Sequence, residues 1–230
     1  MPSTINTQRI HWLFFDVGGV LIDKTLYEEW LIRNIITILC RYHQEITPSA
    51  LLAANIKASR KIGSLILNTF QVILKDKKKA ERAYKILKAK RTREKMDYYQ
   101  VTPIRPEALS VLQKLSSHFH LGIIANQAPE VKKKLSQEKL LPYFNFVGIS
   151  EEYNLFKPDP NFFKSCLRDA HAKTEESAMI DDNIERSLMS AKKVGMTTVF
   201  YNLTRRKEIP KNVIDFTIYS LKDLLKIFKE

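Results

Sequence analysis

Several residue types and segments are scarce in this chain of 230 residues, and each scarcity excludes a class of protein. The two cysteines, Cys40 and Cys166, lie far apart in helical patterns, so they cannot build a disulfide framework or a zinc cluster. No apolar run approaches the length of a membrane span, and the N-terminal segment MPSTINTQRIHW lacks the apolar middle of a signal peptide. We therefore expect a protein of the reducing cytoplasm that has no membrane partner.

Glycine and proline are also few, whereas positive charge is abundant. The chain has 6 Gly and 9 Pro with an apolar fraction of 44%, which predicts a substantial core rather than disorder. Its formal net charge of +13 is spread widely, with local peaks at 75–95, 132–134 and 204–207 and no accompanying stripe of arginine and aromatic residues. We interpret this charge first as a solvated lysine-rich surface and second as an attraction for a phosphorylated substrate. Nucleic acid is not an expected partner.

Short apolar runs and amphipathic helices alternate at the start of the chain and after residue 102. Strands are predicted at 12–16, 120–125, 145–149, 177–181, 197–200 and 215–218. Helical patterns lie between them and begin near Pro106, Pro129, Pro160, Asn183 and Ser220. This alternation predicts an α/β fold in which helices cover both faces of a parallel sheet, and such sheets bind ligands beyond the carboxyl ends of their strands.

The stretch at 24–100 is helical throughout and has no strand pattern. Thr47 and Pro48 mark a helix start, Gly63 marks a break, and Asp76 is placed to cap the long basic helix that follows. About eighty residues are too many for an ordinary crossover between two strands. We therefore predict two parts, an α/β core formed by 1–23 and 101–230 and an inserted helical subdomain at 24–100 over the strand ends.

The segment LFFDVGGVLID, residues 13–23, places a lone carboxylate at the end of the first strand. A buried acid is costly unless it binds something. Gly18 and Gly19 follow Asp16 and let the backbone turn sharply and approach a ligand closely. The pattern differs from GxGxxG, so a dinucleotide is not expected. On this segment alone, Asp16 is interpretable as a catalyst, a metal ligand or a helix cap.

Polar residues also follow the second, third and fourth strands. Ala125 and Asn126 precede a helix whose N-terminal N–H groups can bind an anion, and the Asn126 side chain can add a donor. Lys157 precedes a proline in NLFKPDP, so we expect it to be extended and in a loop. Asp181 and Asp182 are adjacent carboxylates whose repulsion a hard cation such as Mg²⁺ would relieve. Taken singly, these residues are also interpretable as a turn residue, a surface lysine and a capping acid beside a surface acid.

Together, five segments in a fixed order resemble the haloacid dehalogenase superfamily, chiefly its aspartate-nucleophile phosphatases. They are FFDVGGVL, LGIIANQ, KPDPNFF, MIDDNIERSLMSAKKVGM and DFTIYSLKDLL. The resemblance covers most of the α/β part and implies a Rossmann-like parallel sheet with an inserted all-helical cap. The cap at 24–100 is recognised only by its position and texture.

The resemblance also implies a role for each strand-end residue. Asp16 would be the nucleophile that attacks phosphorus, and Lys157 would neutralise the phosphate and hold the nucleophile. Ala125 and Asn126 would hold the phosphate. The residues implied as holding Mg²⁺ are Asp16, the backbone carbonyl of Gly18, and Asp182, with Asp181 assisting.

The chain departs from the family pattern at three places. Gly18 stands where these phosphatases usually carry a second aspartate as general acid and base, and removing such a group typically costs about 10²–10⁴-fold in rate. The second motif of the family usually offers a hydroxyl, which Ala125 lacks. The fourth motif of the family often continues with a further acid or amide, and in this chain Arg186 or Ser187 falls near that position. Asp23 is an acid close in sequence, but its position relative to the site does not follow from the sequence.

The predicted function is a Mg²⁺-dependent hydrolase of a small phosphorylated metabolite that acts through an aspartyl phosphate. One alternative is a non-catalytic module that binds phosphate and metal. Another is a hydrolase of the dehalogenase type, which also lacks the second aspartate; it needs no metal, so the pair Asp181 and Asp182 argues for phosphate. The sequence leaves the substrate and the oligomeric state open.

Overall fold

The computed structural model describes residues 7–228 and contains one sheet of six parallel strands in that range. The strands pair in the order β3-β2-β1-β4-β5-β6, which confirms the predicted α/β fold with a parallel sheet. All six predicted strands form, and their ends differ from the predictions by one residue at most. Their bounds are β1 (Trp12–Phe15), β2 (His120–Ala125), β3 (Phe146–Ile149), β4 (Ser177–Asp181), β5 (Thr197–Tyr201) and β6 (Phe216–Ile218).

The central strand β1 is apolar because both faces of the sheet are covered. Leu13, Phe14 and Phe15 are all fully buried, and neighbouring side chains on a strand point to opposite faces. The ring of Phe14 needs space on the adjacent strand, since a Cβ added at Gly122 would lie 2.4 Å from it. Gly122 therefore lets β1 and β2 pair without a steric clash.

Helices and turns begin where the sequence carries capping residues. Thr47 accepts a hydrogen bond from the Ala50 N–H (3.2 Å), and Asp76 accepts one from the Lys79 N–H (3.0 Å). Gly63 has a φ of 97° between two helices, as a break requires. The α-helices are α1 (Thr25–Cys40), α2 (Pro48–Ser59), α3 (Leu65–Leu74), α4 (Lys77–Arg93), α5 (Tyr98–Val101), α6 (Ala108–Leu115), α7 (Glu130–Gln137), α8 (Ser150–Tyr153), α9 (Pro160–Asp169), α10 (Met189–Val194) and α11 (Leu224–Ile227).

The chain divides into two compact units. The core unit contains the residues up to Ile22 and those from Ile104 onward, and the helical unit is Asp23–Pro103. The core unit holds the sheet, with a buried apolar cluster that includes Phe162 and Met179. The helical unit has its own apolar cluster, in which Phe70 is fully buried. Within the described residues, none of the helices is both long enough and apolar enough to cross a membrane.

Two predicted helices differ in type from a regular α-helix. The segment after Asn183 starts as a π-helix at Ile184–Leu188 and becomes α-helical only in α10. The C-terminal segment starts as a 3₁₀ turn at Leu221–Asp223 before α11. In the first case the change of type falls immediately after the predicted carboxylate pair.

Candidate active site

Asp16 is the first residue after the central strand. Its backbone N–H donates to the carbonyl of Ile180 (2.9 Å), which fixes it beside the end of β4. The Asp16 side chain is 15% exposed. Strand pairing thus brings the carboxylate of Asp16 to the edge of the sheet where Asp181 ends the neighbouring strand.

The turn that follows is closed by backbone hydrogen bonds. The Ile22 N–H donates to the Val17 carbonyl (2.9 Å), and the Gly19 N–H donates to the Ile22 carbonyl (2.9 Å). The guanidinium of Arg105 donates to the Gly19 carbonyl at 3.1 and 3.2 Å. Gly19 needs to be glycine because its φ is 89°, whereas Gly18 has no positive φ.

Lys157 connects the ends of two strands. Its ammonium Nζ lies 2.9 Å from Asp16 Oδ1 and 2.7 Å from Asp181 Oδ2, and the residue is only 2% exposed. Burial disfavours the ammonium, but the two carboxylates outweigh burial and raise the pKa of Lys157. Burial also raises the pKa of Asp16 to about 6, against the opposing effect of Lys157. The lysine therefore stays charged and holds two carboxylates together.

Asn126 fixes the loop that carries this lysine. Its Oδ1 accepts a hydrogen bond from the Lys157 N–H (2.8 Å), and its Nδ2 donates to the Lys157 carbonyl (3.0 Å). Ser190 Oγ donates to the Pro158 carbonyl and holds the next residue of the loop. The structure thus shows Asn126 positioning Lys157 through its side chain, while the expected contact between Asn126 and phosphate stays a prediction.

The carboxylate pair at the end of β4 is asymmetric. Asp181 is 2% exposed, and its two oxygens bind the Lys157 ammonium and the Asn183 N–H, the latter at 2.8 Å. Asp182 is half-buried. Asp16, Asp181 and Asp182 each offer an oxygen, and these oxygens lie within 4.8 Å of one another. Three clustered carboxylate oxygens suit a hard cation such as Mg²⁺.

Two residues beyond the predicted set also belong to this region. The Asn183 side chain accepts a hydrogen bond from the Arg186 N–H (2.8 Å) and so caps the π-helix. Burial lowers the pKa of Arg186, although the charges of Asp16 and Asp181 act against this effect. Arg186 therefore adds a second cation near these carboxylates. The spacing of Asn183 and Arg186 is that of a helix cap, which is a signal present in the sequence.

A partly buried ion pair connects the π-helix to the loop after β5. Glu185 is 8% exposed, and its oxygens lie 2.9 and 3.2 Å from the guanidinium of Arg206. The buried side chain of Asn202 accepts from the Arg206 N–H (2.8 Å) and donates to its carbonyl (2.9 Å). No local pattern in the sequence predicts this pairing between the π-helix and the loop after β5.

Two further residues lie near positions at which the chain departs from the family pattern. They are Ser187 and Asp23, and their environments differ. The Ser187 hydroxyl is buried and has no hydrogen-bond partner within residues 7–228. Asp23 belongs to the helical unit, where its carboxylate accepts hydrogen bonds from the Thr25 N–H (3.0 Å) and hydroxyl (2.6 Å). These contacts stabilise the start of α1.

The sequence of this chain matches a known protein family and resembles individual phosphatases. The model of the family described as haloacid dehalogenase-like hydrolase matches residues 13–201. The glyceraldehyde 3-phosphate phosphatase of Pyrococcus furiosus is 25% identical over 233 residues, 96% of this chain and 94% of that protein. The phosphoserine phosphatase of Thermus thermophilus is 30% identical over 124 residues, which cover 53% of this chain and 50% of that protein.

Solved structures show the same fold. A haloacid dehalogenase-like family hydrolase of Streptococcus pneumoniae has a TM-score of 0.68 to this chain at 17% identity. The alignment covers 96% of this chain and all of that one. At this identity the likeness concerns the fold alone.

Proposed function

The chain belongs to the haloacid dehalogenase-like hydrolase family, and from this premise we propose that it hydrolyses small phosphorylated metabolites through an aspartyl phosphate on Asp16. The observation that carries the proposal is the position of Lys157, whose buried ammonium contacts both Asp16 and Asp181. A phosphoryl group arriving at Asp16 would meet a fixed cation there. Phosphoryl transfer depends mainly on such positioning and on neutralising negative charge.

A carboxylate nucleophile divides the hydrolysis into two displacements at phosphorus. In this scheme Lys157 orients the Asp16 carboxylate and offsets charge in both displacements. Asp181 acts through Lys157, because its oxygens bind the ammonium and the Asn183 N–H. Asn126 acts indirectly, because its side chain holds the backbone of Lys157.

Mg²⁺ is the proposed cofactor because three carboxylate oxygens cluster within 4.8 Å at the strand ends. Asp16, Asp182 and the carbonyl of Gly18 would hold it, with Asp181 assisting. When bound, Mg²⁺ would offset the negative charge of the nucleophile and of the phosphate. Since the oxygens of Asp181 are already engaged, the main carboxylate ligands in this proposal are Asp16 and Asp182.

The end of β2 is proposed to hold the phosphate oxygens. Ala125 lacks a hydroxyl, and the side chain of Asn126 is bound to Lys157, so both residues would act through their backbone N–H groups. The cap predicted at 24–100 would select the substrate. The named relatives act on glyceraldehyde 3-phosphate and on phosphoserine, which supports small phosphorylated metabolites as a class and no single member of it.

A panel of phosphorylated metabolites tests the proposal, with phosphate release measured in the presence and absence of Mg²⁺. We expect release that requires Mg²⁺ and that is abolished in Asp16→Asn, a variant that keeps the size of the side chain. Phosphate binding without release from any substrate would favour the non-catalytic module. Halide release from a 2-haloacid without metal would favour the dehalogenase alternative.

A further inference from the structure

The basic segment 204–207 has no role in the proposed function, yet it contains an arginine whose backbone and side chain are both held. The buried side chain of Asn202 accepts a hydrogen bond from the Arg206 N–H (2.8 Å) and donates one to the Arg206 carbonyl (2.9 Å). The Asn202 N–H donates in turn to the carbonyl of Ile218 at the end of β6 (2.9 Å). Arg206 Nε donates to the Glu208 carbonyl (3.0 Å). The loop after β5 therefore presents the guanidinium from a fixed backbone.

The partner of this guanidinium is Glu185, in the first turn of the π-helix. Arg206 Nη1 lies 2.9 and 3.2 Å from the two oxygens of Glu185. The Arg206 side chain is 32% exposed and that of Glu185 is 8% exposed. A buried carboxylate is costly unless it is paired, so this contact fixes Glu185 relative to the loop after β5. Glu185 comes three residues after Asp182, which is one of the two main carboxylate ligands proposed for Mg²⁺.

The π-helix has unfavourable features of its own. The Leu188 N–H donates to the carbonyl of Asn183, five residues earlier (3.3 Å), and helices with this spacing are rare. The buried Ser187 hydroxyl has no hydrogen-bond partner in the described part of the chain, and an unpaired buried hydroxyl is destabilising. Because the same sequence also fits an α-helix, contacts from outside the segment must favour the π form.

A change of this turn to an α-helix would move the end of the segment that carries Asp182. The other end is anchored, because Ala191 of α10 lies in the buried apolar cluster and Ser190 Oγ donates to the Pro158 carbonyl. Each hydrogen bond of an α-helix spans one residue fewer, so the residues before the turn would rotate by about 100° around the helix axis. Such a rotation would displace the Asp182 carboxylate from its place beside Asp16.

We propose that Arg206 is a positioning residue of the metal site, which holds Asp182 in place by fixing Glu185 and thereby the π form of the turn. The proposal rests on the proposed function, since it takes Asp182 as a ligand of Mg²⁺. It goes beyond that function by giving the loop after β5 a part in cation binding.

The test compares two ion pairs of the core unit that have similar burial. The ammonium of Lys192 in α10 lies 2.6 and 2.8 Å from the two oxygens of Asp215, and these side chains are 36% and 10% exposed. Arg206→Met breaks the pair proposed to act on the metal site, and Lys192→Met breaks the control pair. A double variant, Glu185→Leu with Arg206→Met, removes both charges of the first pair and leaves no carboxylate there without a partner. Isothermal titration calorimetry with MgCl₂ measures affinity, and thermal melting measures stability.

Arg206→Met should weaken Mg²⁺ binding about tenfold, at the lower end of the range for residues that orient metal ligands. Lys192→Met should lower the melting temperature and leave Mg²⁺ affinity unchanged. The double variant should recover stability but not affinity, because the ion pair that fixes the turn is still absent. It also decides the question where Arg206→Met does not fold.

Three results would overturn the inference and leave the proposed metal site intact. They are wild-type affinity in Arg206→Met, an equal loss of affinity in Lys192→Met, and recovery of affinity together with stability in the double variant. A wild-type protein that does not bind Mg²⁺ would instead overturn the proposed metal site, and this inference with it.

Discussion

The core unit and the helical unit use charge in opposite ways. In the core unit, Lys157 and Asp181 are each 2% exposed and bind one another at 2.7 Å. In the helical unit, α4 has the sequence KKKAERAYKILKAKRTR, in which nine basic residues accompany one acidic residue. Most of those basic side chains are exposed, whereas Ala80, Ala83 and Leu87 form the buried face of the helix.

The two units therefore differ in the burial of their charges as well as in their number. A buried ion pair depends on its geometry, and removing one partner leaves an uncompensated charge that costs about 3–5 kcal/mol. An exposed charge is solvated and screened, so its removal typically changes stability by about 0.5 kcal/mol or less. The net charge of the chain is set largely by α4, but the proposed chemistry depends on a few buried charges.

The largest expected effect is that of removing the buried cation. Lys157→Met leaves the carboxylates of Asp16 and Asp181 without their shared partner, so we expect a loss of about 3–5 kcal/mol in the free energy of unfolding and a loss of turnover. The matched control is Lys85→Met on the exposed side of α4, with an expected change of about 0.5 kcal/mol or less. Urea unfolding of both variants measures the difference. Equal losses of stability would contradict the contrast drawn between the two units.

A smaller effect is expected on Mg²⁺ affinity, when removal of a carboxylate of the site is compared with removal of a carboxylate that caps a helix. Asp182→Ala should weaken Mg²⁺ binding at least about tenfold, because a proposed ligand is lost. Asp76→Ala removes the capping carboxylate of α4 in the helical unit and should leave Mg²⁺ affinity unchanged. Isothermal titration calorimetry of the two variants and wild type provides the measurement. Undiminished affinity in Asp182→Ala would place the ion elsewhere.

The smallest expected effects are those of the helix caps. Thr47 and Asp76 each satisfy one N–H group at the start of a helix, so replacing either by alanine should cost about 1 kcal/mol of stability. Turnover on the best phosphorylated substrate at saturation should stay within about twofold of wild type, since neither side chain belongs to the proposed chemistry. Thermal melting and steady-state rates check both statements. A large loss of turnover in a variant that is as stable as wild type would show that these capping residues contribute to the chemistry.

Much of the fold follows directly from local sequence patterns. The strand predicted at 177–181 forms as Ser177–Asp181 because a short apolar run buried on both faces is a strong signal. Thr47 and Asp76 cap their helices as predicted, since capping depends on residues only three positions apart. The residues 13–23 likewise locate the turn after β1.

The remaining features depend on contacts between distant loops. The side chain of Asn126 binds the backbone of Lys157, 31 residues along the chain, and this contact does not follow from the pattern at the end of β2. The pairing of Arg206 with Glu185 joins the loop after β5 to the π-helix after β4. Such contacts depend on the path of each loop, and no local periodicity encodes that path. The π-helix after Asn183 could not be predicted either, because its sequence also fits an α-helix.

In the proposed mechanism Asp16 carries the phosphoryl group between the two displacements. The decisive experiment mixes the protein with a phosphoryl donor, stops the reaction with acid during turnover, and locates the phosphate by mass spectrometry of the peptides. We predict phosphate on Asp16 in wild type and none in a folded Asp16→Asn variant. Continued turnover by Asp16→Asn, or phosphate on another residue of the wild-type protein, would show that Asp16 is not the nucleophile.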